Sequence, residues 1–210
     1  MDVTWLGHSC FRLRGRGAAV VTDPYPPTLG PRLRLEADLV TVSHHHPSHD
    51  HLPAVKEALV IDTPGEFEHA GVVVRGLPSF HDRHHGADHG RNTIYVLEID
   101  DVAVCHLGDL GHPLDDETVD EIGKVDVLLV PAGGSCVLDG ARAAEVVRQV
   151  APRFVVPMHY DHPLIKRELG PVRRFLEEMG VGEIEPQPRL SLQPSQAEAE
   201  TRVVLLEPRA

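Results

Sequence analysis

The chain has 210 residues, 41% hydrophobic and 25% charged, with a formal net charge of −12. That composition fits one globular domain spanning residues 1–210 and excludes a disordered or fibrous chain. The acidic balance disfavours non-specific binding to nucleic acid, whose phosphates it repels. No apolar run approaches the ~18 residues of a membrane span, and the first residues do not read as a secretory leader. Three widely spaced cysteines (Cys10, Cys105, Cys136) form no C-x-x-C pair. Reduced thiols in a cytoplasmic protein are the expectation.

Short apolar runs separated by turn residues predict strands at 3–6, 10–13, 18–22, 38–42, 59–61, 72–74, 93–97 and 102–105, with a Gly15-Arg16-Gly17 hairpin turn. The rhythm then changes. A helix is predicted at 115–123, from an Asp near its start and a Gly at its end. A strand follows at 125–130, apolar almost throughout and therefore covered on both faces. Residues 139–150 place Ala143, Val146, Val147 and Val150 on one helical face. A strand at 154–156 precedes a helix at 164–179, kinked or split at Gly170-Pro171. The stretch 185–200 is rich in Pro, Gln and Ser and reads as a surface loop, and 201–207 as a last strand. Strands first and βα units later, without a break in composition, predict a single α/β domain of two sheets covered by helices.

Fifteen histidines are present, five of them between positions 44 and 51. Histidine is the commonest metal ligand. The run Ser43-His44-His45-His46-Pro47-Ser48-His49 directly follows a predicted strand, so several imidazoles issue from one strand end. Zinc takes nitrogen and oxygen donors, and a catalytic zinc keeps one open position. His81, Asp109 and His159 likewise follow apolar runs, the layout of a site gathered at one sheet edge. His45 and His51 suit solvent or supporting roles. His84, His85 and His89 suit a polar loop flanking the site.

These motifs resemble the metallo-β-lactamase fold superfamily, in the branch of ascorbate-6-phosphate lactonase-like and other metal-dependent hydrolases. Trp5 to Phe11 is similar to that branch's opening strand pair, and Thr22-Asp23-Pro24-Tyr25 to its early Asp-Pro motif. Ser43 to His49 resembles H-x-H-x-D-H. His81-Asp82, His106 to Asp109 and Pro157 to Tyr160 resemble the later ligand motifs. The resemblance implies a four-layer αββα sandwich and metal-assisted hydrolysis. It implies that His44, His46 and His81 hold one divalent ion and that His49 and His159 hold a second, with Asp109 bridging. Asp109 and His49 are the residues assigned to catalysis, and Asp23 orients a ligand histidine. Zinc is the first choice, with manganese, iron or nickel as alternatives.

One position departs from the pattern. Ser48 stands where the family has an aspartate ligand, which implies a firm first site and a weakened second. Asp50 or His51 could replace the lost ligand. A shifted register, His46 to His51, restores Asp-His but loses the middle histidine, and it would displace the helix start expected near Leu52 and Val55. His8, Arg91 and Tyr160 are candidate substrate contacts; Arg91 suits a carboxylate or phosphate. The expected substrate is a small-molecule ester, lactone or phosphate ester, and a homo-oligomer is compatible with the sequence. The rival readings are a phosphodiesterase or nuclease of the same fold and a non-catalytic metal- or ligand-binding protein with a degenerate second site.

Overall fold

Period-two alternation decides which side of each strand meets which core. The computed structural model describes residues 1–194 and 200–209. In chain order the strands are β1 (Asp2–Gly7), β2 (Cys10–Arg14), β3 (Ala19–Thr22), β4 (Leu35–Glu36), β5 (Leu39–Thr41), β6 (Val55–Lys56), β7 (Leu59–Ile61), β8 (Gly65–His69), β9 (Val72–Phe80), β10 (Arg91–Ile99), β11 (Val102–His106), β12 (Val127–Pro131), β13 (Phe154–Met158), β14 (Leu190–Ser191) and β15 (Arg202–Val203). The helices are α1 (Asp116–Ile122), α2 (Gly140–Val150) and α3 (Arg173–Glu178).

Two mixed sheets face each other. One has the order β14-β1-β2-β3-β5-β7 and the other β15-β13-β12-β11-β10-β9-β8. Tyr95 and Leu97 of β10, Val104 of β11 and Val127 and Leu129 of β12 join Val3, Trp5, Phe11, Leu13 and Leu39 of the first sheet in the inner core. The alternate residues Ile94, Val96, Leu128 and Val130 meet Ala143, Val146 and Val147 of α2 and Phe175 of α3. Both faces of the second sheet are thus apolar, as the continuous run at 125–130 requires. The outer face of the first sheet (Leu6, Cys10, Val21, Val40) is covered by Tyr25, Leu33 and Ala54 from loop segments rather than by a described α-helix. The architecture is the sandwich of two sheets that the sequence implies.

The caps explain the helices. Asp115 accepts the Thr118 N–H and Asp139 the Arg142 N–H, satisfying otherwise orphaned donors. Gly123, at φ 66°, ends α1.

Several boundaries differ from the sequence reading. At 52–54 there is one 3₁₀ turn, after which Val55 pairs at once with Leu35, so no α-helix starts there. The helix at 164–179 is reduced to α3. Residues 161–170 form a loop that turns at 163–164 and closes on itself, with Ile165 N–H to His162 O at 2.8 Å and Asp161 N–H to Gly170 O at 2.9 Å, and it is pinned by Gly170 N–H to Gly133 O at 2.7 Å. β8 went unrecognised because it is a polar edge strand, joined to a longer β9 through Ala70 and Gly71, both at positive φ. The last strand is only Arg202–Val203, followed by a bridge from Leu206 to Gln187. The expected 185–200 loop contains β14, and its portion at 195–199 lies outside the described residues.

Candidate metal centre

β3 and β5 run parallel in one sheet, and β11, β12 and β13 run parallel in the other. β9 is antiparallel to β10, which is antiparallel to β11, so β9 points the same way as β11. Polar residues that follow these strands therefore arrive at one rim. Asp23 follows β3, His44 to His49 follow β5, His81 follows β9, Asp109 follows β11 and His159 follows β13. The backbone is strained at this rim: His8, Asp23 and His159 hold positive φ values of 49°, 39° and 51°. Close approach also demands glycine. A Cβ on Gly133 would lie 2.1 Å from the carbonyl oxygen of His159.

Asp109 is the hub. It is fully buried, with His49 Nε2 at 3.1 Å from Oδ1, and with His81 Nε2 at 3.2 Å and His159 Nε2 at 3.4 Å from Oδ2. Ser9 donates its hydroxyl to Oδ1 at 3.1 Å, and Asn92 Oδ1 accepts the Asp109 N–H at 3.0 Å. Three overlapping groups, His44–His46–His49, His44–His81–Asp109 and His49–Asp109–His159, each bring their donor atoms within 4.8 Å of one another.

The donor set fits a metal. Nε2 of His44, Nε2 of His159 and Oδ2 of Asp109 are buried without a hydrogen-bond partner, an arrangement that costs free energy unless something else satisfies it. Imidazoles with one carboxylate are the chemistry of zinc and its neighbours. The electrostatics agree. Burial, reinforced by His49, pushes His44 down to about 2, and burial pushes His159 down to about 3, so both rings are neutral at pH 7 and free to donate nitrogen lone pairs. Burial raises Asp109, but the imidazoles of His159 and His49 packed against it, with hydrogen bonds from His49 and His81, outweigh that and hold the carboxyl well below its usual range. Burial lowers His49 and His81, yet the adjacent Asp109 charge reverses the sign and raises both. A cation entering here displaces protons.

The supporting shell is ordered. Asp23 accepts the Ser43 N–H at 2.8 Å and the Ser43 hydroxyl at 2.6 Å, and Ser43 Oγ meets His44 Nδ1 at 3.0 Å. This chain fixes the His44 ring and leaves Nε2 facing the cluster. His81 Nδ1 lies 3.1 Å from Cys136 O. Ser48 Oγ lies 2.6 Å from His46 Nδ1 and 2.8 Å from His49 Nδ1, and it accepts from Arg167 Nη1 at 3.3 Å.

The remaining candidates fall outside the donor cluster. Asp50 is not a replacement ligand; it faces exposed His45 at 3.8 Å, because His51 N–H binds Pro24 O and turns the chain away. His8 is not at the mouth of the site. It is buried beneath residues 25–29, with Nε2 at 3.0 Å from Leu29 O and its ring 5.0 Å from Tyr25. Tyr160 packs on Trp5 at 5.0 Å within the inner core, so it is not positioned as a substrate contact. Arg91 lines a cavity of about 700 Å³ that also includes His44, Asp62, Pro64, Pro78, Phe80 and Asn92. Sequence reasoning did not single out Ser9, Asn92 or Arg167. Arg167 fell within the supposed 164–179 helix, and nothing local marks any of the three.

Comparisons with known proteins agree with this geometry. The family model described as a beta-lactamase superfamily domain matches residues 2–159. A UPF0173 metal-dependent hydrolase of Methanoculleus marisnigri is 32% identical over 202 residues, covering 84% of this chain and 89% of that protein. A structure from Thermotoga maritima, a candidate zinc-dependent hydrolase of the metallo-β-lactamase superfamily, is 36% identical with a TM-score of 0.79, over 98% of this chain and 99% of that one. A metallo hydrolase of Ignicoccus hospitalis, 22% identical over 91% of this chain and 98% of that chain with a TM-score of 0.67, shares the fold. With its donors, its rim and its sheet order accounted for, this chain belongs to the metallo-β-lactamase superfamily.

Proposed function

We propose that the chain is a metal-dependent hydrolase acting on a small-molecule ester, lactone or phosphate ester. The observation that carries this reading is the convergence of His44, His49, His81 and His159 on Asp109, with His46 grouped beside His44 and His49 and with buried nitrogen and oxygen atoms left unpartnered. The relatives named metal-dependent hydrolases support the reaction class. His44, His46 and His81 would hold one divalent ion, zinc being the natural choice, and His49 and His159 would hold a weaker second one, with Asp109 within reach of both sets. Such an ion supplies Lewis acidity and lowers the pKa of an adjacent water toward ~7.

The protein's own groups do the rest. Asp109, held by Ser9 and Asn92, would accept a hydrogen bond from the attacking water and orient it, with His49 against the same carboxylate oxygen. Asp23 and Ser43 keep the His44 ring in place. His44 belongs both to the donor cluster and to the 700 Å³ cavity, so a substrate seated there reaches the donors directly. Pro64, Pro78 and Phe80 give that cavity an apolar wall, and Arg91 gives it a cation.

Elemental mass spectrometry of untagged protein, purified without chelator, tests the reading alongside a panel of ester, lactone and phosphodiester substrates. At least one metal per chain is expected, rising toward two in Ser48→Asp, with turnover only in loaded protein. Near-zero metal in both proteins overturns the reading. Tight metal binding with no turnover on the whole panel replaces it with a non-catalytic metal-binding role.

A further inference from the structure

Arg167 stands at this rim, and the proposed chemistry leaves it unused. It lies in the loop 161–170, whose backbone is tied down on both sides: Lys166 N–H donates to Leu29 O at 2.9 Å and Gly170 N–H to Gly133 O at 2.7 Å. Ile165, two residues before Arg167, is buried in the inner core. The guanidinium is therefore delivered by a fixed loop, and it remains half-buried. Its partners are neutral: Ser48 Oγ at 3.3 Å and Cys136 Sγ at 3.7 Å. Among the described residues it forms no ion pair with a carboxylate, in a chain carrying 32 acidic side chains. Arginine has five N–H donors in a rigid fork, and two long contacts to a hydroxyl and a sulfur leave most of that capacity open.

The charge balance sharpens the point. A cation placed beside a metal centre repels the metal unless an anion lies between them. Among the described residues Asp109 is the one carboxylate in the three overlapping donor groups, with Asp23 behind Ser43; Asp82 and Asp88 belong to a separate group with His84. Counting one dication, Arg167, Asp109 and Asp23 alone, the balance is positive. Ser48 matters here in a second way: an aspartate at that position would neutralise Arg167, whereas a hydroxyl does not.

We propose that Arg167 forms an oxyanion subsite beside the metal centre, so that the substrate carries a carboxylate or phosphate group gripped by the guanidinium while its scissile bond lies over the Asp109 cluster. This deepens the hydrolase reading and rests on it for the second half of that statement. The subsite itself is a property of this chain's own fork and its position, since a bidentate guanidinium matches both oxyanions.

The test is calorimetric titration of phenyl phosphate, benzoate and neutral benzyl alcohol into metal-loaded and metal-stripped protein. Wild type is compared with Arg167→Met, Arg167→Lys and the surface control Arg173→Met, whose residue is exposed and paired with Glu177. Thermal melts and metal content are recorded for every preparation. Arg167→Met is expected to weaken one or both anions by at least about tenfold, with benzyl alcohol and Arg173→Met unchanged. Arg167→Lys, which keeps the charge and loses the fork, falls between. A preference for phenyl phosphate points to a phosphorylated substrate, and a preference for benzoate to a carboxylate. The subsite is refuted if folded Arg167→Met and Arg167→Lys bind both anions as wild type does, or if Arg173→Met weakens them equally. A wild type devoid of metal defeats the hydrolase reading instead, and the stripped-protein titrations still decide the subsite.

Discussion

His8 offers a linkage experiment whose size follows from its surroundings. The ring is fully buried, its Nε2 faces Leu29 O and its Nδ1 has no partner. Burial lowers its pKa from 6.5 to about 4, with His49 and Arg167 acting in the same direction. Between those values the unfolded chain binds a proton that the folded chain refuses. The stability is therefore intact above pH 6.5 and declines as the pH falls toward 4. At about 1.4 kcal/mol per unit, the whole gap is worth about 3 kcal/mol, and about 2 kcal/mol of it is lost by pH 5. His8→Asn removes the titrating ring, and asparagine tolerates the positive φ at this position. The cavity and lost contact lower its stability by a constant amount, but its pH dependence is shallower. Urea unfolding of metal-stripped wild type and variant, from pH 7.5 to 5, should show their difference shrinking by about 2 kcal/mol. Two curves that stay parallel over that range would refute the buried, neutral assignment of His8.

Ser43→Ala breaks the link from Asp23 to His44; metal affinity in a chelator competition assay should fall about 10- to 100-fold, and affinity within twofold of wild type would show that the link is idle. Gly108→Ala places a Cβ 2.4 Å from Asn92 Oδ1 and 2.6 Å from Ser43 Cβ at φ 57°, so a loss of about 1–3 kcal/mol is expected in urea melts; unchanged stability would mean that this corner relaxes freely. Removing metal with a chelator should lower Tm by about 5–10 °C when free metal was near 100 Kd, since about 2.7 kcal/mol of linkage is lost; an unmoved Tm would mean that no ion was bound. Metal uptake near pH 7 should release protons and tighten as pH rises, because His49 and His81 give up protons held for Asp109; calorimetry in buffers of different ionisation enthalpy measures that number, and zero would contradict the proton-sharing cluster.

Much of this architecture was legible because burial writes itself into the sequence. The apolar run at 125–130 announced a strand covered on both faces, and β12 is that strand. The clustered donor residues were legible for a related reason: His44, His81, Asp109 and His159 each interrupt an apolar run where the strand ends. Asp23 was readable through its Asp-Pro turn. Pairwise contacts between distant segments were not. Arg167 meets Ser48 across 119 positions, and Ser9 meets Asp109 across 100; nothing local distinguishes either from a surface residue. The 164–179 helix failed for the same reason, since its propensity was overridden by backbone hydrogen bonds to Gly133 and Leu29. Tyr160 was misjudged because adjacency to His159 in sequence does not set direction: the side chain turns inward to Trp5.

The donors come from both halves of the sandwich. His44, His46 and His49 hang from the β5 sheet, while His81, Asp109 and His159 hang from the sheet of β9, β11 and β13. A ligand that grips both sets works as a clasp across the sheet-to-sheet seam. Opening the seam then requires letting go of the clasp first, so the loaded protein gains most in the slowness of its unfolding. Its lifetime under protease or heat becomes a kinetic property, set at one rim rather than by the core as a whole.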